Sequence, residues 1–167
     1  KVAGARMAGV NFKWLYHCEQ GIKMADSYDT YEDNSPQAVL RVALAVAFAD
    51  DLLDHEEHAK VEQVYRDIRM SMDIYEGVED AYAESENIAE YVLDSLSSAE
   101  SAEDRAEVWE EWADAVADSD LQELAVLAAL RIAGADTDID AEESECMNAF
   151  CDLWGLELDE IMESLRN

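Results

Sequence analysis

With 167 residues, 41 of them acidic against 11 basic, the chain carries a formal charge of −30 while half of its residues are apolar. That length allows one domain with a substantial core and hardly two, and the apolar half excludes a disordered acidic tail. A surface this negative excludes long-range attraction to nucleic acid or anionic membranes, and no apolar run approaches the ~18 residues of a membrane span.

The charge is unevenly placed. Residues 1–23 hold four basic residues and one acidic residue, together with three of the six glycines. Residues 24–167 hold seven basic and forty acidic residues, and Lys60 is their only lysine. The break falls at Met24, a plausible native start. Residues 1–23 therefore read as a basic, aromatic N-terminal segment: an added leader or a fused peptide. The competing reading is a native arm that docks Phe12, Trp14, Leu15 and Tyr16 on the acidic body. Residues 24–34 read as an acidic flexible lead-in, and 35–167 as the folded domain.

Within that domain the expected elements are all helical. Ser35 followed by Pro36 has the form of an N-cap with proline at the first helical position, opening an apolar helix to about Ala49 that Arg41 interrupts. A second helix begins at Asp54, with Val61, Val64, Tyr65, Ile68 and Met72 at helical spacing, and closes near Gly77. A third spans about Glu79 to Leu96, with Tyr82, Ile88, Ala89, Val92 and Leu96 facing inward. Capping residues at 97–101 break the chain, and a fourth helix follows through Val108, Trp109, Trp112 and Val116. Ser119 or Asp120 caps a fifth, Leu121 to Ala133, apolar on most sides and so expected at the centre. A sixth starts after Asp140 with Met147, Phe150, Cys151 and Trp154 on one face, and Gly155 suits a left-handed C-cap. Leu156, Leu158, Ile161 and Leu165 mark a short last helix. No segment alternates as a strand would. The fold class is all-α: a single helical bundle of about seven helices.

The chain also repeats itself. At an offset of 86, Ala43, Leu44 and Ala47 fall on Ala129, Leu130 and Ala133; Ala49-Asp50 on Ala135-Asp136; and Asp54 on Asp140. Glu56-Glu57 falls on Glu142-Glu143, Val61 on Met147, Val64 on Phe150, and Ile68 on Trp154. Each copy is an apolar helix, an acidic turn and an amphipathic helix, which suggests a pseudo-twofold bundle. In these residues, Ala49-Asp50-Asp51-Leu52-Leu53-Asp54-His55-Glu56-Glu57 and Ala135-Asp136-Thr137-Asp138-Ile139-Asp140-Ala141-Glu142-Glu143, the sequence resembles the TerB-like family, named for the tellurite-resistance protein TerB. Leu153-Trp154-Gly155-Leu156 and the acidic last helix add to the resemblance, which covers roughly residues 36–166. That family often has Gly after the Ala-Asp, where Asp51 and Thr137 stand here. The resemblance implies an all-helical interaction or metal-associated module of a stress-response or tellurite-resistance system, not an enzyme.

The acidic turns raise the question of a metal. Asp136, Asp138 and Asp140 have the alternate spacing of the first ligands of a calcium loop, and Glu143 adds another oxygen. An EF-hand is rejected, because the sixth position is Ala141 instead of Gly and the twelfth is Met147 instead of Glu. Helix capping alone is favoured: Asp140-x-x-Glu143 and Asp54-x-x-Glu57 have capping-box spacing. Should a weak Ca²⁺ or Mg²⁺ site exist, Asp136, Asp138, Asp140 and Glu143 are the candidates. Asp50, Asp51, Asp54 and Glu57 form a poorer second set.

No catalytic constellation emerges. His55-Glu56-Glu57-His58 is one residue short of a zinc-protease helix, so solvated histidines are expected there. The odd set Cys18, Cys146 and Cys151 has no CxxC pair and reads as reduced thiols; with no secretory signal visible, a cytoplasmic location is expected. Trp109, Trp112 and Trp154 fall at core spacing.

The expected function is thus a non-enzymatic interaction module with a basic protein partner, at most a weak divalent cation, no nucleic acid and no membrane insertion. The oligomeric state is open. The alternative is an acidic decoy that imitates nucleic acid, although the carboxylates are spread over all helices instead of forming an obvious phosphate-like row. Adaptation to high salt would account for the acidity without any partner.

Overall fold

Ser35 starts the first helix by accepting a hydrogen bond from the Ala38 N–H, and Pro36 occupies the first turn, where a missing N–H costs nothing. The structure, a computed structural model, describes residues 31–49, 55–76, 80–136 and 139–164; of His55, Asp136 and Ser164 it describes the backbone only. The expectations for residues 1–23 and most of the lead-in lie outside the described residues. Residues 31–167 make up one compact unit.

Among the described residues there are seven α-helices and no strand: α1 Pro36–Ala47, α2 His55–Ser71, α3 Ala81–Ser98, α4 Ala102–Asp114, α5 Ser119–Ala133, α6 Ala141–Trp154 and α7 Leu158–Ser164. A 3-10 turn, Gly134–Asp136, follows α5. The domain is an all-α bundle, as its periodicity predicts.

The centre is α1, not α5. Alanine and β-branched residues dominate α1, and nearly every residue from Pro36 to Ala47 is buried. It touches α2, α3, α4, α5 and α6, with its most extensive contact on α5. α5 buries Ala125, Val126, Ala128, Ala129, Ile132 and Ala133, while its leucines Leu121, Leu124, Leu127 and Leu130 stay half-buried. The buried side of α5 is thus mostly alanine, and it meets α1 along the most extensive helix–helix contact among the described residues.

Arg41 does not interrupt α1. Its side chain is 5% exposed, and the guanidinium carbon lies 5.6 Å from the centre of the Trp112 ring and 5.9 Å from that of Tyr31. Two aromatic faces thus receive a charge the core would otherwise reject.

Several ends differ from expectation. α1 stops at Ala47, where the Phe48 N–H bonds back to the Leu44 and Val46 carbonyls. α5 is capped by Asp118, whose Oδ1 accepts the Asp120 and Leu121 N–H groups, so Ser119 and Asp120 lie inside the helix. α4 ends at Asp114, and Val116 is buried beyond it. Tyr82 is exposed and not inward-facing. Gly155 adopts the left-handed cap with φ 68°. Asn34, at φ 55°, staples the start of the bundle to the α4–α5 connection: its N–H bonds to Ala115 O at 2.8 Å, and its Oδ1 accepts from the Ala117 and Asp118 N–H groups.

The described cations serve the fold locally. Arg66 pairs with Glu62, Arg69 with Glu84 and Arg131 with Asp67. These pairs use few of the carboxylates, so most of the acidic surface repels itself. Raising KCl from low to molar concentration is therefore expected to raise the melting temperature steadily as that repulsion is screened. A melting temperature that stays flat across the series would rule this out.

Candidate functional site

The second acidic turn ends in a complete capping box. Asp140 Oδ1 accepts the Glu143 N–H at 2.7 Å, and Glu143 Oε2 accepts the Asp140 N–H at 2.9 Å. Two donors at the start of α6 are satisfied, and the acids Glu142 and Glu143 complement its dipole. Glu143 is 5% exposed, which is rare for a carboxylate and is permitted here by the bond it accepts.

Of the four favoured ligands, the structure brings together Asp140 and Glu143, through the cap. The Asp136 carboxylate and all of Asp138 lie outside the described residues. In the first turn, Asp50, Asp51 and Asp54 also lie outside them, while Glu57 sits in the first turn of α2 and is 6% exposed. Among the described residues, no group of three His, Cys, Asp or Glu side chains is placed to hold a metal ion.

The end of α1 is gripped from two sides between these turns. Arg105 Nη1, from α4, donates to Ala49 O at 3.2 Å, and Cys146 Sγ, from α6, lies 3.5 Å from Ala45 O. Burial pushes the Cys146 thiol far above its ordinary pKa, with nearby Arg105 opposing and Glu143 reinforcing the shift. Cys151 is pushed up to about 11, chiefly by burial and then by Asp152 and Glu157. Both thiols are free, protonated packing groups, poorly suited to nucleophilic chemistry.

His58 is not a solvated histidine: its Nε2 stands 2.9 Å from Glu86 Oε1 of α3, and both side chains are about a third exposed. Further along the same helix pair is a network that periodicity does not reveal. Glu84 Oε2 accepts the Tyr65 hydroxyl at 2.9 Å and Arg69 Nη1 at 2.5 Å, while Arg69 Nη2 donates to Glu76 O. The Arg69 guanidinium also lies over the Tyr65 ring, 5.8 Å from its centre. Burial, then the bond to Glu84, holds the Tyr65 hydroxyl well above the usual tyrosine range, with Arg69 opposing in part. Tyr65 and Arg69 are four residues apart in the sequence, but nothing local marks Glu84 as their partner.

The comparisons with known proteins add no relative: no protein-family model matches the chain, nor does any characterised protein or solved structure.

Two outcomes follow from this geometry. Asp140→Ala is expected to cost about 1 kcal/mol of unfolding free energy in urea titrations. Glu143→Gln, which keeps an acceptor for the Asp140 N–H, should cost less than Glu143→Ala. Tyr65 is held protonated in the folded state, whereas tyrosines in an unfolded chain ionise near pH 10. Its contribution is thus complete below pH ~10 and is lost as pH rises beyond that value. Stability of the native chain should fall above pH ~10, and Tyr65→Phe should flatten that fall; equal slopes would contradict the assignment.

Proposed function

We propose that this protein is a non-enzymatic interaction module of the TerB-like kind, recruited by a basic protein partner in a stress-response or tellurite-resistance setting, with a weak divalent-cation site in its second acidic turn. The observation that carries the reading is the matched pair Glu57 and Glu143. They lie 86 residues apart, each in the first turn of the helix that follows an apolar helix and an acidic turn, and both are buried. Buried carboxylates are uncommon, so their recurrence at the repeat offset supports duplicated units more strongly than shared apolar positions do. Most of those positions agree as well: Ala43 and Ala129, Ala47 and Ala133, Val61 and Met147, and Val64 and Phe150 are all buried, whereas Leu130 and Trp154 are half-buried where Leu44 and Ile68 are fully buried. The extensive α1–α5 contact is the arrangement in which two such units would cover each other.

Capping already accounts for Asp140 and Glu143, so a cation would have to be held chiefly by Asp136 and Asp138. Calorimetry with Ca²⁺ and Mg²⁺ is expected to give weak binding that Asp138→Asn abolishes while leaving the fold intact. An identical melting temperature with and without millimolar cation removes the ion from the proposal and leaves the module.

One observation favours the second reading, an acidic decoy that occupies a nucleic-acid groove. Glu103, Glu107, Glu110 and Asp114 are exposed along α4, with Asp104 and Glu111 beside them. At 1.5 Å per residue these four carboxylates span about 16 Å on one helix face, a linear row of negative charge. The acids are therefore not merely scattered; α4 aligns a row of them.

A further inference from the structure

The three most exposed large apolar side chains among the described residues stand on the end of α2, the connection after it and the start of α3, which Arg69 holds together at one corner of the bundle. Met70, in the last turn of α2, is 51% exposed; Tyr75, in the connection that follows, is 64% exposed; and Tyr82, in the first turn of α3, is 53% exposed. Asp73, Glu76 and Asp80 are exposed acids of the same stretch. The basic residues nearby are already engaged, Arg66 with Glu62, and Arg69 with Glu84 and the Glu76 carbonyl.

The corner is braced from below. Arg69 holds the connection through Glu76 O and holds α3 through Glu84, which also accepts the Tyr65 hydroxyl. The Ile74 N–H bonds to Arg69 O at 2.8 Å and the Asp73 N–H to Met70 O at 3.1 Å, with Asp73 in the left-handed region at φ 58°. Tyr75 donates its hydroxyl to Asp73 Oδ1. The Tyr65–Arg69–Glu84 network, with Tyr65 and Arg69 buried and Glu84 40% exposed, thus ties the Glu76 backbone and the start of α3 to the end of α2. Aromatic and methionine side chains at the centre, a charged rim and a preorganised backbone form the make-up of an energetic interface centre.

We propose that the α2–α3 corner is the docking surface for a basic protein segment that carries apolar anchors, with Tyr75, Tyr82 and Met70 taking the anchors and Asp73, Glu76 and Asp80 facing the cations. The occupant follows from charge: the rim is acidic, and the cations close to it are tied into the fold, so an acidic or neutral segment gains nothing there. This rests on the basic-partner reading above and adds the surface that serves it.

The test uses two fluorescein-labelled amphipathic helical peptides of equal charge, one of Lys and Leu and one of Lys and Ser, titrated against the full chain by anisotropy. The Lys/Leu peptide is expected to bind at least about tenfold more tightly than the Lys/Ser peptide. The double variant Tyr75→Ser/Tyr82→Ser should remove most of that difference while leaving the Lys/Ser peptide unaffected. Amide chemical shifts on titration should move in residues 69–76 and 80–84. All substituted side chains are exposed, so the circular dichroism spectrum should not change. If both peptides bind the double variant as they bind the native chain, the corner is not the surface, although the basic-partner reading survives. Loss of binding on neutralising Glu103, Glu107, Glu110 and Asp114 alone would likewise move the surface to α4. Failure of both peptides to bind the native chain overturns the basic-partner reading itself.

Discussion

The fold depends on α1 burying itself on every side. A chain with a charge of −30 has few faces it can afford to pack, and the described core is built by surrounding one helix almost free of charge with five others. The helix that is surrounded, α1, is made almost wholly of alanine, valine and leucine, and its most extensive contact is with the side of α5 that buries its alanines, Val126 and Ile132. Burying it also requires an answer to Arg41, the one charge on α1. Enclosure by Tyr31 and Trp112 supplies it without drawing a carboxylate into the core, where a paired charge would carry its own desolvation cost.

The same economy shapes the acidic turn before α6. Helix starts need acceptors for their free N–H groups, and an acidic sequence has them in surplus. Asp140 and Glu143 are consumed in that role, each bonded to the other's backbone. Glu143 can be buried among exposed neighbours because its carboxylate still accepts the Asp140 N–H. Motif spacing therefore misleads when read only as a ligand series: two of its four carboxylates already have partners before any ion is considered.

Most of the architecture was legible in the sequence because it is written locally. Ser35-Pro36, Asp140-x-x-Glu143 and Gly155 each carry their own stereochemistry, and the structure places them as caps in the expected sense. Amphipathic spacing located the buried faces of α2, α3 and α6. The errors fall where long-range packing decides. Tyr82 lies within helical reach of the buried positions of α3, but the helix starts at the bundle's corner, where no neighbour covers it. Arg41 looked like a break because periodicity cannot foresee two rings from 10 residues before it and 71 after it. The Tyr65–Arg69–Glu84 network escaped for the same reason: its acceptor lies on another helix, 15 residues beyond Arg69. In the candidate site, capping could be read from spacing. Asp136 and Asp138 could not be ranked as ligands, because carboxylate positions in a turn depend on backbone geometry that residue type does not encode.

Charge alone cannot give this protein a specific partner. With forty acidic residues against seven basic ones over residues 24–167, nearly any cationic surface is attracted, and that attraction fades with salt. Discrimination has to come from groups whose contribution survives screening: apolar anchors held in fixed positions, or a row of charges whose spacing only one kind of groove matches. The bundle offers one of each. The α4 row depends on helix pitch and so persists as long as the helix does. The α2–α3 corner depends on Arg69, which bonds to Glu84 of α3 and to the Glu76 carbonyl. A buried arginine committed to bracing an exposed turn is hard to explain by stability alone, since an apolar residue of similar size would serve a surface loop at less desolvation cost. It is readily explained if the turn has to keep its shape while something binds.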